Sequence, residues 1–322
     1  MRVLFIYKQN RSFVKKDIEI LQKFCSVDTI KFSIKKLPDI KKKIRNDADF
    51  VYCWFASYHS YYPIKWAKKY GKFSIVVVGG YDASNIKGYG IFSNKKGRFI
   101  ANSIYKNVDL ILPVDESLKE DILKHSQLNI EDKFITLPTG YDHKRFFPKG
   151  SKKNIVLTVG FVNEINWWRK GLITFIEVAK KMPDVQFIVA GNIDKKVQKK
   201  IDETPNNITF TGWIEDEELL RLYQQAKVYC QLSNYEGLPN VLCEAMLCEC
   251  IPIGSRANGI PRAIGDTGFY APYGDVDLTY DAVRKALSSN MELGKKARNR
   301  IIELFPSELR KKRLKEILEM IK

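Results

Sequence analysis

The segment SNYEGLPNVLCEAMLCECIPIGSRANGIP, residues 233–261, holds two carboxylates eight positions apart, Glu236 and Glu244, with Gly-Leu-Pro-Asn following the first. Pro239 suits the first turn of a helix, and Val241, Leu242 and Ala245 then make a core-facing stripe. Glu236 is therefore expected in the loop before the helix, at the mouth of the apolar run 228–232, and Glu244 more than a turn inside it. Amides around Gly237 and Leu238 lie at the positive end of the helix dipole, where an anion is favoured. A second feature is LTVGFVNEINWWRKGL, which sets Arg169 and Lys170 after a strand–glycine turn and before a helix. A guanidinium and an ammonium there can hold a diphosphate and stabilise the charge that develops on it as it leaves. The two features together suit a ligand with an anionic centre and hydroxyls at both ends, such as a nucleoside diphosphate sugar. The plainer alternatives are a solvated helix start for Arg169–Lys170 and a helix-surface position for Glu244.

These residues need a scaffold that brings loops together. Short apolar runs at 3–7, 27–32, 50–55, 73–78, 110–114 and 134–137 alternate with amphipathic stretches such as 14–24 and 117–124. The rhythm repeats at 155–159, 185–190, 208–211, 228–232 and 251–254, with helical patterns such as 172–181 and 216–226 between. Alternation of this kind argues for an α/β protein with two doubly wound, Rossmann-like parallel sheets. PTGYDHKRFFPKGSKK, residues 138–153, is rich in turn formers and charge and reads as the boundary. The expected domains are 1–148, 149–304 and a basic amphipathic C-terminal helix, 305–322, that packs back on the first domain. Ligands of open parallel sheets sit beyond the carboxyl ends of the strands, so two such domains would face each other across a cleft.

Composition narrows the class. At 322 residues, with 45% hydrophobic and 28% charged residues, the chain is ordinarily globular. No apolar run reaches the roughly 18 residues that a membrane span needs, and MRVLFIYKQN turns polar too soon for a signal peptide. Six cysteines without a CxxC pair read as reduced thiols of a cytoplasmic protein. The net charge of +17 is uneven: residues 1–150 hold 28 Lys and Arg against 15 Asp and Glu. A first half this basic points either to a polyanionic partner, above all an anionic membrane face, or to a merely solvated surface.

Four stretches, in order, resemble the GT-B glycosyltransferases, specifically the large retaining family 4. LPTGYDHKRFFP is similar to that family's interdomain segment, and VGF followed by RKGL to its "VGR…KG" turn. ITFTGWIEDEELLRLYQQAKVYCQLSNYEGLPNVLCEAM is similar to its donor block, and PIGSRANGIPRAIGDTGFYAPYGD continues as the next stretch would. The resemblance implies a hexosyltransferase with an acceptor-binding first domain and a donor-binding second. It would move a hexose-type sugar from a nucleoside diphosphate sugar to a hydroxyl of a glycan or lipid-linked acceptor. Anomeric configuration would be retained, with no cofactor and no metal. By position, Glu236 would meet sugar hydroxyls near the anomeric centre. Gly237, Leu238, Pro239 and Asn240 would meet sugar and diphosphate, and Glu244 both ribose hydroxyls. Arg169 and Lys170 would hold the diphosphate, and Gly212 and Trp213 would lie near the base.

The chain also departs from the pattern. Phe161 stands where the family often has arginine after the VG glycine, so Arg169 would replace it or Lys170 act largely alone. The first strand–helix loop, YKQNRSFVKK, lacks the usual glycine pair. After the fourth strand VVVGGYDAS offers Asp82 where many members have histidine, and His59 is a second acceptor-side candidate. Asp47-Ala-Asp49 and Asp275-Val-Asp277 match the DxD pattern of metal-dependent enzymes. The first precedes its strand, however, and the second reads as a helix cap. Nine aromatics crowd residues 52–73. Tyr58, Tyr62, Trp66 and Tyr70 recur every four residues and read in part as core packing, while others suit stacking on sugars or a membrane interface. The basic first half and these aromatics suggest attachment to the inner face of the cell membrane. Two rivals remain: a catalytically idle relative that binds nucleic acid or another polyanion, unsupported by any RNA-binding motif, and a different enzyme of the same fold such as a sugar-phosphate synthase.

Overall fold

In the computed structural model, which describes residues 1–321, apolar runs become strands and the amphipathic stretches between them helices. The first unit begins β1 (Arg2–Tyr7), α1 (Ser12–Leu21), β2 (Ser26–Lys31), α2 (Leu37–Asn46), β3 (Phe50–Trp54) and α3 (Tyr58–Lys69). It continues β4 (Phe73–Val78), α4 (Lys95–Asn107), β5 (Leu110–Pro113) and α5 (Glu116–Ser126). Its strands are all parallel, in the order β2-β1-β3-β4-β5. β3 lies in the middle and every residue of it is buried, so it reads as a continuous apolar run rather than an alternation. The expected strand at 134–137 does not form. Ile135 and Leu137 donate to the carbonyls of Ile111 and Pro113, but Pro113 has no N–H to return, and one parallel bridge, Ile111–Phe134, is left.

The second unit runs β6 (Lys153–Val159), α6 (Glu164–Arg169), α7 (Leu172–Lys180), β7 (Gln186–Ala190), α8 (Gln198–Asp202), β8 (Ile208–Phe210) and α9 (Asp216–Gln225). It ends β9 (Ala226–Gln231), α10 (Asn240–Leu247), β10 (Ile251–Gly254), α11 (Ile260–Ile264), β11 (Phe269–Tyr270), α12 (Val276–Ser288) and α13 (Glu292–Leu304). Six parallel strands stand in the order β11-β10-β9-β6-β7-β8. Asp275 caps α12 by accepting from Leu278 N–H, the cap expected for Asp275-Val-Asp277. Among the described residues no helix is long and apolar enough to cross a membrane.

The last helix, α14 (Ser307–Ile321), belongs to the first unit, which comprises residues 1–139 and 307 onward; the second comprises Gly140–Pro306. The divisions therefore fall at 139/140 and 306/307, not at 148/149 and 304/305. Residues 140–148 are bonded into the second unit. Tyr141 N–H donates to the Phe305 carbonyl, Arg298 to the carbonyls of His143 and Phe146, and Gln224 to that of Phe147.

Beside the buried apolar side chains Leu314, Ile317 and Leu318, a buried ion pair ties α14 to the rest of the first unit. Arg310 is 1% exposed and Asp17, on α1, is 0%. Arg310 donates Nε to Asp17 Oδ1 at 2.6 Å and Nη2 to Oδ2 at 2.7 Å. Its Nη1 reaches the carbonyls of Leu137 and Pro138 at 2.8 and 3.1 Å. Asp17 Oδ2 also accepts from Tyr52 Oη and Trp54 Nε1, both on β3, at 2.8 and 2.7 Å. Burial and the Asp17 charge hold the Tyr52 hydroxyl well above its ordinary pKa, so it stays a donor. Removing one member of such a pair leaves the other charge buried and uncompensated. Arg310→Ala should therefore cost about 3–5 kcal/mol of stability. Arg310→Lys should recover only part, because an ammonium cannot grip two carboxylate oxygens and two carbonyls at once. Guanidinium denaturation checks this; a loss under about 1 kcal/mol for Arg310→Ala would mean that α14 is held by apolar packing instead.

Candidate active site

All strand–helix loops of a parallel sheet emerge at its carboxyl edge, and in the second unit three of them turn on glycine. Gly160 follows β6, Gly191 follows β7 and Gly212 comes two residues after β8. Gly191 has φ +135°, and a Cβ on it would lie 2.4 Å from the Gly160 carbonyl oxygen; its N–H donates to the Gly212 carbonyl at 3.2 Å. A Cβ on Gly160 would strike the aliphatic stem of Lys170 at 2.8 Å. The missing side chains are thus what lets these loops abut and lets Lys170 lie across the end of β6.

Arg169 ends α6 and Lys170 is its C-cap, so the two cations stand at a break between α6 and α7 rather than simply before a helix. Gly171 makes that break in the left-handed region, φ +69°, where a Cβ would sit 2.3 Å from the Leu232 carbonyl oxygen. Asn234 N–H donates to the Arg169 carbonyl at 2.7 Å, which stitches the break to the loop after β9. Glu236 lies in that loop. Lys170 Nζ reaches Glu236 Oε1 at 2.8 Å and Arg169 Nη1 reaches the same oxygen at 3.2 Å. Ser233 Oγ and Gln231 Nε2 also donate to Oε1, at 3.0 and 3.3 Å. Burial pushes the Glu236 carboxyl up, but the charges of Lys170 and Arg169 outweigh it and hold the group at about 2. Burial lowers Lys170 in turn, against the pull of Glu236. At working pH Glu236 is therefore an anion, able to accept hydrogen bonds and unable to donate a proton.

The two cations, paired in the sequence reading, differ here. Arg169 is 5% exposed, and its guanidinium is held by Asn166 Oδ1 through Nε and Nη2 and by the Tyr235 carbonyl at 2.7 Å. It braces the Glu236 loop from below. Phe161, by contrast, is 41% exposed.

Glu244 is the fifth residue of α10 and accepts from Tyr223 Oη at 3.3 Å. Pro239 takes the N-cap position, one residue outside the helix, and proline has no side-chain group to cap it. Gly237 and Leu238 are buried beneath, with the Gly237 carbonyl accepting from Gly259 N–H at 3.1 Å. Asn240 Oδ1 accepts from Tyr141 Oη at 2.9 Å. Trp213 is 66% exposed beside Gly212, not packed in a core. A cavity of about 460 Å³ opens nearby, bordered by Asn234 and by the loops after β10 and β11, including Arg256 and Tyr273. Sequence reasoning missed Gln231, Ser233, Asn166, Tyr223 and Tyr141; Ser233 stands in the quoted motif, but nothing in spacing ties the others to it.

The first-unit candidates are placed differently. Asp82 is fully buried and accepts from the N–H groups of Ala56, Gly79 and Gly80 at 3.0, 3.1 and 2.9 Å. Burial pushes it up to about 6 against those hydrogen bonds. It locks the loop after β3 to the loop after β4, where Phe55, with φ +71°, lays its ring against Gly79. His59 is buried with Nε2 at 2.7 Å from the Trp54 carbonyl, and burial lowers it to about 4, so it is neutral and donates there. Both polar groups face backbone rather than an open surface.

The family model described as "Glycosyl transferases group 1" matches residues 142–304. An MMP alpha-(1->4)-mannosyltransferase of Mycolicibacterium hassiacum is 26% identical over 213 residues, 63% of this chain and 52% of that one. The chain spans about half the length or less of the curated relatives it matches. Among solved structures, a sucrose-phosphate synthase of Thermosynechococcus elongatus superposes with a TM-score of 0.81 at 16% identity, covering 100% of this chain and 99% of that one. HepE of Anabaena, in complex with UDP and glucose, gives 0.79 at 14% identity over 99% and 100%. Likeness at such identity shows the fold, and the fold is GT-B. The family match covers just over half of the chain, including both cations, the three glycine turns and both glutamates, and the chain belongs to the group 1 glycosyltransferases.

Proposed function

We propose that the protein transfers a hexose-type sugar, with retention, from a nucleoside diphosphate sugar to a hydroxyl of a glycan or lipid-linked acceptor at the cytoplasmic face of a membrane. The observation that carries this is the convergence of Lys170 and Arg169 on one oxygen of Glu236, beside the side-chain-uncapped N-terminus of α10. Glu236 Oε2, the oxygen those donors do not take, would accept the sugar hydroxyls. The diphosphate would lie against the backbone N–H groups of Gly237, Leu238 and Asn240 and the Lys170 ammonium, and Glu244 would accept the ribose hydroxyls. As the C1–O bond to phosphate breaks, the acceptor oxygen bonds C1 on the same face, and its proton passes to the departing phosphate oxygen. An ionised Glu236 supplies no proton to that step. Lys170 neutralises the leaving charge, so transfer should survive a chelator that removes divalent ions. Asp82 and His59 would keep acceptor-side loops in shape without touching substrate.

Calorimetric titration with UDP, GDP and ADP sugars, followed by product analysis for the anomer formed, tests the reading; a hexose phosphate belongs among the acceptors tried. Binding of a nucleotide sugar without transfer to any acceptor would favour the idle relative. Lys170→Ala should lower transfer by about ten- to a hundredfold, the equivalent of one charge-assisted contact in the transition state. A rate within about twofold of wild type would remove Lys170 from the diphosphate site. Glu244→Ala should weaken binding of the free nucleoside diphosphate, whereas Glu236→Gln should leave it nearly unchanged and depress transfer. Equal loss of nucleotide affinity in both would overturn the assignment of Glu236 to the sugar end.

A further inference from the structure

Helix α3 carries its large aromatics on the wrong side for a core. His59, Ser60, Pro63, Ile64 and Ala67 are its buried residues, while Tyr58 and Tyr62 are 44% and 47% exposed. Tyr62 stacks on Trp66 at 5.5 Å and meets Tyr61 edge-on at 5.1 Å, and Tyr61 lies 6.4 Å from Phe99 of α4, itself 66% exposed. Lysines lie over these rings: Lys41 of α2 at 5.9 Å from Trp66, Lys65 at 5.2 Å from Tyr61 and Lys96 at 5.9 Å from Tyr58. Neither α3 nor α4 contains an acidic residue. The result is one face on which the exposed rings of Tyr58, Tyr62 and Phe99, backed by the half-buried Tyr61 and Trp66, stand among lysines of two helices that carry no acidic residue.

We propose that this α3–α4 face docks the protein on the headgroup layer of an anionic lipid bilayer. Rings with an apolar body and a polar tip favour the boundary between headgroups and acyl chains, and lysines snorkel outward from it to lipid phosphates. Rings packed on one another are poorly placed to receive bases, which distinguishes the face from a platform for single-stranded nucleic acid. The proposal extends the acceptor reading to the surface where the acceptor is met, yet its test needs neither donor nor acceptor, so either can fail alone.

The full chain is sedimented with phosphatidylglycerol vesicles and with phosphatidylcholine vesicles. Binding is expected to the first at low salt, with release at about 1 M, where the Debye length shrinks to about 3 Å. Lys65→Glu with Lys96→Glu should lower the partition coefficient by at least roughly thirtyfold, which the loss of two basic residues near an anionic leaflet gives before the added carboxylates repel it. Tyr62→Ser with Phe99→Ser should lower it about tenfold through lost interfacial burial. Lys15→Glu with Lys23→Glu, an equal charge change at exposed positions on and just after α1, which a right-handed crossover puts on the opposite face of the sheet, should alter it by less than about twofold. No binding to anionic vesicles at low salt, or an equal loss in the α1 variant, would overturn the proposal. So would polyuridylate competing the protein off the vesicles.

Discussion

A charge removed from water must find its counterpart inside, and each unit of this protein is organised around one such pairing. In the first, Asp17 and Arg310 join residues 293 positions apart. The pair sits under β3 and satisfies Tyr52 and Trp54 as well as two carbonyls of the segment leading out of the unit. Neither charge could be buried alone, so α1, β3, residues 137–138 and α14 are held as a set. In the second unit Glu236 plays the corresponding part, with Lys170 and Arg169 drawn to it from the break between α6 and α7. The difference is exposure. The first pair is sealed at 1% and 0% exposure, whereas the second lies at the sheet's carboxyl edge and is partly open, with Lys170 and Glu236 side chains 16% and 15% exposed.

Close approach is the other constraint at that edge. Gly160, Gly171 and Gly191 each stand where a Cβ would fall within 3 Å of a neighbouring atom. Backbone meets backbone at Gly171 and Gly191, and the Lys170 stem occupies the space over Gly160. The same logic appears at Gly79 in the first unit, against the ring of Phe55. There the loop is fixed by Asp82, whose carboxylate gathers three amides from two loops. A buried aspartate among backbone donors fixes the shape of the two loops it joins.

Much of this was legible in the residues themselves. Alternating apolar and amphipathic runs fixed a doubly wound α/β chain, because strand and helix periodicities differ and parallel strands buried on both sides read as continuous apolar stretches. The EGLPN segment announced a helix start after a strand, and RKG after VG announced cations near a glycine turn. What periodicity withholds is direction. The recurrence of Tyr58, Tyr62 and Trp66 every four residues shows that they share a face of α3, but not which face is inward. Ser60, Pro63, Ile64 and Ala67 took the inward side, which left Tyr58 and Tyr62 exposed and Trp66 half-buried.

Sequence alone thus determined the kinds of element, their order and the candidates for chemistry, since those depend on local spacing and residue type. Tertiary structure alone decided partnership. That Arg169 braces a loop while Lys170 lies over Gly160, that Gln231 and Ser233 share Glu236 Oε1, and that Arg310 returns to Asp17 all depend on contacts between segments far apart in the chain. Such contacts are set by sheet order and by crossover packing, and no local pattern records which loops those will place side by side.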